Sequence, residues 1–377
     1  MKWQKFLNIT FLVLVSVWLF GTYKFSGTTN QTVTVPSSQL ATNSPLEIVE
    51  VKDTATSTLA TTTITKQPTP KPKTVVATKI LVPPPAILAP EPPPDFESIN
   101  TFARTALVNI LCTTKGNELS PISGTGVIIS PNGIVLTNAH VGQFFLLRDL
   151  YEKDYITCVI RTGSPAYPKY YAELAYISPT WVENNKTILK DQDPKGTGEN
   201  DFAFLHITSS VDSGTKLPDN FPYLTPNISE DLKVSDPVIL VSYPAGFLGG
   251  LSILEDLDIT SSITTIQDIF TFDKDTVDLI NVGGTVVSQR GSSGGAVVDR
   301  HSGLIGIIST SSLGDTTSSS DLNAITIPYI NRTLKNESGL TLSDFLSQDI
   351  SAFAKDFQTT IAPRLTKLIS DVLTANQ

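Results

Sequence analysis

Gly124-Thr125-Gly126-Val127-Ile128-Ile129, then Ser130-Pro131-Asn132-Gly133, then Ile134-Val135-Leu136-Thr137 is the stretch that decides the fold class. Two β-prone runs flank a Pro-Asn-Gly turn, which reads as strand, tight turn, strand. Upstream, Ala106 to Thr114 is also apolar and β-prone. Downstream, strand candidates are Thr157–Arg161, Ala172–Ile177, Phe202–Ile207, Pro237–Ser242, Thr285–Ser288, Gly294–Asp299, Leu304–Thr310 and Ala324–Pro328. Clusters of Gly, Pro, Asn and Asp separate them. Many short strands joined by turn signals read as an all-β barrel or sandwich.

The flanks are different material. Lys2 and Lys5 precede an apolar run from Phe6 to Tyr23 that ends at Lys24, about the length of a membrane span. Residues 1–25 therefore read as a signal anchor or a cleaved signal peptide. Bulky Trp18, Phe20, Tyr23 and Phe25 are poor neighbours for a cleavage site, which favours the anchor. The lysine balance would then leave the rest of the chain outside the cytoplasm, or secreted if the segment is cut. Residues 26–95 hold 12 of the 25 prolines and no aromatic residue, so they cannot bury enough apolar surface to order themselves. They read as a disordered Thr/Ser/Pro-rich linker. The folded part begins near Phe96, and the strand-rich domain is expected over 96–335. A helical C-terminal appendage follows over 336–377. There Phe345, Leu346, Ile350, Phe353, Phe357, Ile361, Leu365, Ile369 and Leu373 keep helical spacing, and Pro363 starts a second helix. It would either pack one face on the barrel or stand as a small appendage.

A hydrophobic fraction of 40% suffices for a sizeable core. The net charge of −9 has no basic cluster, so nucleic acid is not expected as a partner. Cys112 and Cys158 are too far apart for a CxxC motif. They are either two buried inert thiols or one disulfide. No spacing indicates a metal or organic cofactor, including around His206 and His301.

Three stretches carry chemistry: Thr137-Asn138-Ala139-His140, Asn200-Asp201-Phe202-Ala203 and Gly291-Ser292-Ser293-Gly294-Gly295. Each alone is ordinary: a structural histidine, a turn aspartate, a Gly/Ser loop. Together they supply what a serine nucleophile needs. A neutral hydroxyl requires an adjacent base. Imidazole fits because its pKa lies near the working pH. A buried carboxylate fixes the imidazole tautomer, and glycines bring backbone amides close to a developing oxyanion.

These stretches resemble the histidine, aspartate and serine motifs of the trypsin/chymotrypsin-like serine proteases, in that family's order. The Asn in the histidine motif and the short turn before it are closest to the bacterial HtrA-like branch. The resemblance covers roughly residues 100–335 and implies two six-stranded antiparallel barrels with the site between them. It implies a serine endopeptidase with Ser293 as nucleophile, His140 as base and then acid, and Asp201 as the residue that orients His140. The amides of Gly291 and Ser293 would form the oxyanion hole. Ser292 is the neighbouring candidate, but the glycine pair follows Ser293. Val287, six residues before Ser293, would lie at the base of the primary pocket. Not being an acid, it points to apolar or small P1 side chains. Ile307–Ser311 resembles the strand that pairs with substrate backbone, which makes Ser309, Thr310 and Ser311 candidate substrate contacts. The two cysteines would fall in strands of the first barrel, where a bridge is geometrically allowed.

About forty residues follow the protease-like stretch, too few for a PDZ domain. Tyr151–Glu199 reads as an insertion, used for rim packing or for substrate contact. The partners implied are protein or peptide substrates and, through the N-terminal segment, a membrane; oligomeric state is left open. A catalytically inactive protease-fold binding protein is the main alternative. A G-x-S-x-G esterase is disfavoured because only His301 follows Ser293, at too short a spacing.

Overall fold

The Pro-Asn-Gly turn forms as its residues dictate. Gly133 takes φ +75°, its N–H donates to Ser130 O, and Ile129 N–H donates to Ile134 O. This computed structural model describes residues 94–375 apart from 192–195, 247–249 and 313–320. The turn joins β2 (Ile122–Ile128) to β3 (Ile134–Thr137). With β1 (Leu107–Thr114), β4 (Ile156–Thr162), β5 (Tyr167–Ile177) and β6 (Ala203–Ser210), they close an antiparallel barrel in the order β1-β2-β3-β6-β5-β4. The first barrel is thus six-stranded, as the resemblance implies.

The second sheet has seven strands, not six. They are β7 (Pro237–Ser242), β8 (Thr260–Thr265), β9 (Asp268–Phe270), β10 (Leu279–Asn281), β11 (Ala296–Asp299), β12 (Leu304–Ser312) and β13 (Asp321–Thr326). Their order is β8-β7-β11-β12-β13-β10-β9. The extra strand has a local cause. β8 and β9 lie at opposite ends of that order yet are consecutive in the chain, interrupted only at Ile266-Gln267. Ile266 N–H still donates to Asp236 O on the β7 side, whereas Gln267 N–H donates to Asn281 O of β10. One broken strand therefore serves both ends of the sheet.

Two strand expectations are corrected. Thr285–Ser288 is a turn, because its hydroxyls satisfy its own amides: Thr285 N–H donates to Ser288 Oγ and Val287 N–H to Thr285 Oγ1. Ala324–Pro328 straddles a boundary. β13 stops at Thr326, whose hydroxyl accepts Tyr329 N–H and caps a helix with Pro328 in its first turn.

Among the described residues eight α-helices accompany the sheets. α1 (Phe96–Ala106) opens the described chain, capped by Asp95 through Ser98 N–H. α2 (Ala139–Leu146) follows β3, α3 (Pro179–Asn185) follows β5, and α4 (Gly250–Glu255) lies between β7 and β8. α5 (Ile327–Ser338), α6 (Leu342–Ser347), α7 (Ile350–Thr360) and α8 (Ala362–Thr374) form the C-terminal part, with Pro363 in the first turn of α8. The expected boundary at 335/336 falls inside α5.

These C-terminal helices pack on the first barrel. The Phe345 ring lies 4.6 Å from that of Phe204, and Phe357 lies 5.5 Å from Tyr176. Of the two arrangements open for this segment, the packed one forms.

Tyr151–Glu199 is not an insertion. It supplies β4 and β5, two strands of the closed barrel, and the buried Trp181 of α3. Cys112 and Cys158 face each other across β1 and β4 and are joined by a disulfide. Among the described residues no helix is long and apolar enough to cross a membrane. Residues 1–25 and almost all of the linker lie outside them.

Candidate active site

The site begins where β3 ends. Asn138 takes an extended backbone and caps α2, so His140 falls in the first helical turn. The Asn138 side chain donates to Asp201 O at 3.0 Å, tying this cap to the start of β6. Asn200 stands just before Asp201 with φ +58°, a left-handed conformation that Asn tolerates better than most residues. That kink turns the Asp201 carboxylate back under α2.

Asp201, 4% exposed, then meets His140 with both oxygens. Oδ1 accepts the His140 backbone N–H at 2.9 Å, and Oδ2 lies 2.8 Å from His140 Nδ1. A carboxylate acceptor there favours the proton on Nδ1 and leaves the Nε2 lone pair free. Ser309 Oγ donates to the same Oδ2 at 2.8 Å. Burial alone would push the imidazole pKa down, but the charge and hydrogen bond of Asp201 outweigh it and hold His140 above its ordinary value. Burial likewise opposes ionisation of Asp201. The His140 charge, the two hydrogen bonds from His140 and the one from Ser309 nonetheless hold it below the usual carboxylate value.

The serine loop reaches this pair from the second sheet. Thr125 N–H of β2 donates to Ser293 O at 2.8 Å, and Thr125 Oγ1 donates to Gly291 O at 2.7 Å. Thr137 Oγ1, three residues before His140, donates to Thr125 O at 2.7 Å. Gly294 N–H donates to Ile308 O, the neighbour of Ser309. The loop is therefore wedged between the strand that leads into His140 and the strand that touches Asp201.

The glycines are required by space as well as by φ. Gly291 has φ +93°, and a Cβ on it would sit 2.8 Å from Ala245 N and Tyr243 O. Gly294 has φ +84°, and a Cβ there would come within 2.0 Å of Thr125 O.

The two serines differ. Ser292 is buried, its hydroxyl donating to Val287 O at 2.5 Å and accepting from Ser242 Oγ at 3.0 Å. Ser293 is partly open to solvent. Among the described residues its hydroxyl has no hydrogen-bond partner, and neither has His140 Nε2. The amides of Gly291 and Ser293 also donate to no protein group among the described residues, whereas those of Ser292, Gly294 and Gly295 are all used. Free N–H groups beside a hydroxyl are the donors an oxyanion would need.

Residues 124–307 match the family profile described as a trypsin-like peptidase domain. Residues 124–307 form a trypsin-like peptidase domain. No curated protein matches the chain.

Within this trypsin-like domain, the structure gathers His140, Asp201, Ser309 and the loop bearing Gly291 and Ser293 at one place. Val287 is elsewhere. Its side chain is fully buried in the second core with Val282, Val297 and Ile308, and only its carbonyl reaches the serine loop. Thr310 and Ser311 lie on β12 opposite Asn323 and Leu322. Ser309, expected as a substrate contact, has its hydroxyl on Asp201. Sequence reasoning missed three further contributors: Thr125, the Asn138 side chain, and Tyr329, which bonds Asn200. No local pattern marks them, although Asn138 stood inside the histidine motif. His206 pairs with Glu173 at 3.3 Å, and His301 is exposed in the β11–β12 turn.

Proposed function

We propose that this trypsin-like domain is a serine endopeptidase in which Ser293 attacks the scissile carbonyl. The observation that carries the reading is Asp201 holding His140 by both carboxylate oxygens, with the partly open Ser293 on a loop pinned to the adjacent strand. In the reaction, Nε2 of His140 takes the Ser293 proton as Oγ adds to the carbonyl. The amides of Gly291 and Ser293 stabilise the oxyanion. The imidazolium, stabilised by Asp201, then returns the proton to the leaving amine. Water repeats the sequence to release the acyl group.

The finer reading goes with it. The substrates are extracytoplasmic proteins, reached by a domain tethered through residues 1–25 and the linker. The P1 side chains are apolar or small, a reading that rests on the lack of an acid just upstream of Ser293, since the Val287 side chain itself faces the second core. The Thr-Asn-Ala-His motif supports placement near the HtrA-like branch. Treating the full chain with a fluorophosphonate probe tests the chemistry. Labelling should occur and vanish in Ser293→Ala; labelling that persists in that variant overturns the assignment.

One observation favours a second reading, a protease-fold binding protein: the Ser293 hydroxyl and His140 Nε2 are not hydrogen-bonded to each other. Such contacts often tighten only when substrate binds. A wild-type chain that never labels, with or without peptide substrates, would support the binder.

A further inference from the structure

We infer that Tyr329 of the C-terminal helix α5 is a positioning residue for the catalytic pair, holding Asp201 through its neighbour Asn200. The inference deepens the peptidase reading and rests on it for the word catalytic, though not for the geometry.

One phenol oxygen makes both bonds. Tyr329 Oη accepts the Asn200 backbone N–H at 3.0 Å and donates to Asn200 Oδ1 at 2.9 Å. Asn200 sits at φ +58°, a left-handed conformation that Asn tolerates and that the two bonds to Tyr329 hold in place. The next residue is Asp201, both of whose oxygens must meet His140. Relaxing Asn200 to a common backbone conformation would rotate the peptide entering Asp201 and swing the carboxylate away. Nothing else restrains the Asn200 side chain among the described residues.

Tyr329 is itself well fixed. It is 7% exposed, its ring meets Phe272 edge to face at 5.1 Å, and its N–H is capped by Thr326. Burial above all pushes its phenol up to about 12, so the hydroxyl stays a donor throughout the working pH range. The helix that carries it spans both halves of the fold. Arg332 pairs with Asp278 beside β10, while Glu337 accepts from Tyr176 Oη of β5 at 2.6 Å and from Ser178 Oγ at 2.8 Å. α5 is thus a brace behind the aspartate. Tyr329 is the one residue of α5 that bonds the turn before Asp201; Glu337 anchors the far end.

Among the described residues Asp201 is the charged group that acts on His140, bonded to it through both oxygens, so the His140 titration reports how well the carboxylate is placed. The test is an NMR titration of the imidazoles in the full chain, which has three histidines, with the His140 signal assigned by its loss in His140→Gln. In Tyr329→Phe the His140 midpoint should fall by about one pH unit as the support of Asp201 weakens and burial prevails. Fluorophosphonate labelling on its high-pH plateau should slow about 10-fold. Glu337→Gln should lower the melting temperature and leave the midpoint where it was. An unchanged midpoint in Tyr329→Phe overturns the inference, and so does an equal fall in Glu337→Gln. If Tyr329→Phe does not fold, Asn200→Gly decides. Glycine keeps the positive φ but loses the Oδ1 bond, so a smaller downward shift supports the inference and none overturns it. A midpoint that falls in a chain whose wild type never labels keeps the positioning role and sinks the peptidase reading instead.

Discussion

Thr125 donates its backbone N–H to the Ser293 carbonyl at 2.8 Å, so a strand of the first barrel sets the height of the serine loop of the second sheet. Its hydroxyl does as much. It donates to Gly291 O at 2.7 Å and accepts Tyr243 N–H at 3.0 Å, all in a fully buried position. The relative placement of the His140 strand and the Ser293 loop is set here, by one threonine in a Gly-Thr-Gly sequence.

Thr125→Val keeps the shape and removes the hydroxyl. Two buried backbone groups, Gly291 C=O and Tyr243 N–H, lose their partner, at a cost of about 2–4 kcal/mol. Because Gly291 also offers its amide to the oxyanion, the labelling rate at Ser293 should fall about 100-fold. Denaturant melts and probe kinetics on one preparation check both. A destabilised variant with the wild-type rate would remove Gly291 from the oxyanion site.

The pH dependence follows from the coupled pair. His140 must be neutral to accept a proton and its pKa is raised, so the rate should climb with pH to a plateau, with a midpoint above the ordinary imidazole value of about 6.5. In Asp201→Asn the burial effect is no longer opposed. The midpoint should drop below the ordinary value and the plateau should fall about 10⁴-fold. Stability carries matching signs. The His140 contribution is full below its unfolded value and is lost as pH rises through the raised folded one. The Asp201 contribution is present above its unfolded value and is lost as pH falls through the depressed one. Melting temperatures across acid pH, wild type against Asp201→Asn, test the acid limb.

Gly294→Ala and Gly339→Ala form a matched pair. Both glycines have φ near +80°, but a Cβ at 294 meets Thr125 O at 2.0 Å while one at 339 meets nothing within 4 Å. Gly339→Ala should cost about 1 kcal/mol, the conformational penalty alone. Gly294→Ala should cost well over twice that and abolish labelling, since the Thr125 backbone cannot withdraw without moving β2. Equal melting temperatures for the two variants would contradict the packing described for the serine loop.

The Cys112–Cys158 bridge closes a segment of sequence separation 46 across neighbouring strands. Reduction, or the double change Cys112→Ala with Cys158→Ala, should cost about 2–4 kcal/mol through the freedom regained by the unfolded chain. The barrel closes without the bridge, through β1 pairing with both β2 and β4. Labelling of folded protein should therefore persist in reductant while the melting temperature falls.

How much was legible follows the range of each signal. β7 was read to the residue, because Pro237–Ser242 is a continuous β-prone apolar run bounded by turn residues. The helical spacing of Phe345 to Leu373 announced two helices parted near Pro363, but not the further break at Gln348-Asp349, where Asp349 caps α7 anew. β8 escaped notice because Thr-Ser-Ser-Ile-Thr-Thr at a sheet edge is half-exposed on both faces and shows no alternation. β10 has three residues, too few to show a period. Thr285–Ser288 misled because Val287 is a core residue and Val286 is exposed, an alternation that mimics a strand while the hydroxyls close a turn.

By itself the sequence determined the three motifs and their order, the turn at Gly133 and the all-β middle of the chain. Each is written in a few neighbouring residues, where φ preference and side-chain alternation act. Only the tertiary structure decided that the Ser309 hydroxyl reaches Asp201 across 108 positions, that Tyr329 holds Asn200 across 129, and that Val287 points into the core. It also decided that a single Thr125 ties the serine loop to the strand leading to His140. Those relationships depend on which strands meet when two sheets pack, and no local pattern encodes a contact that only barrel closure creates.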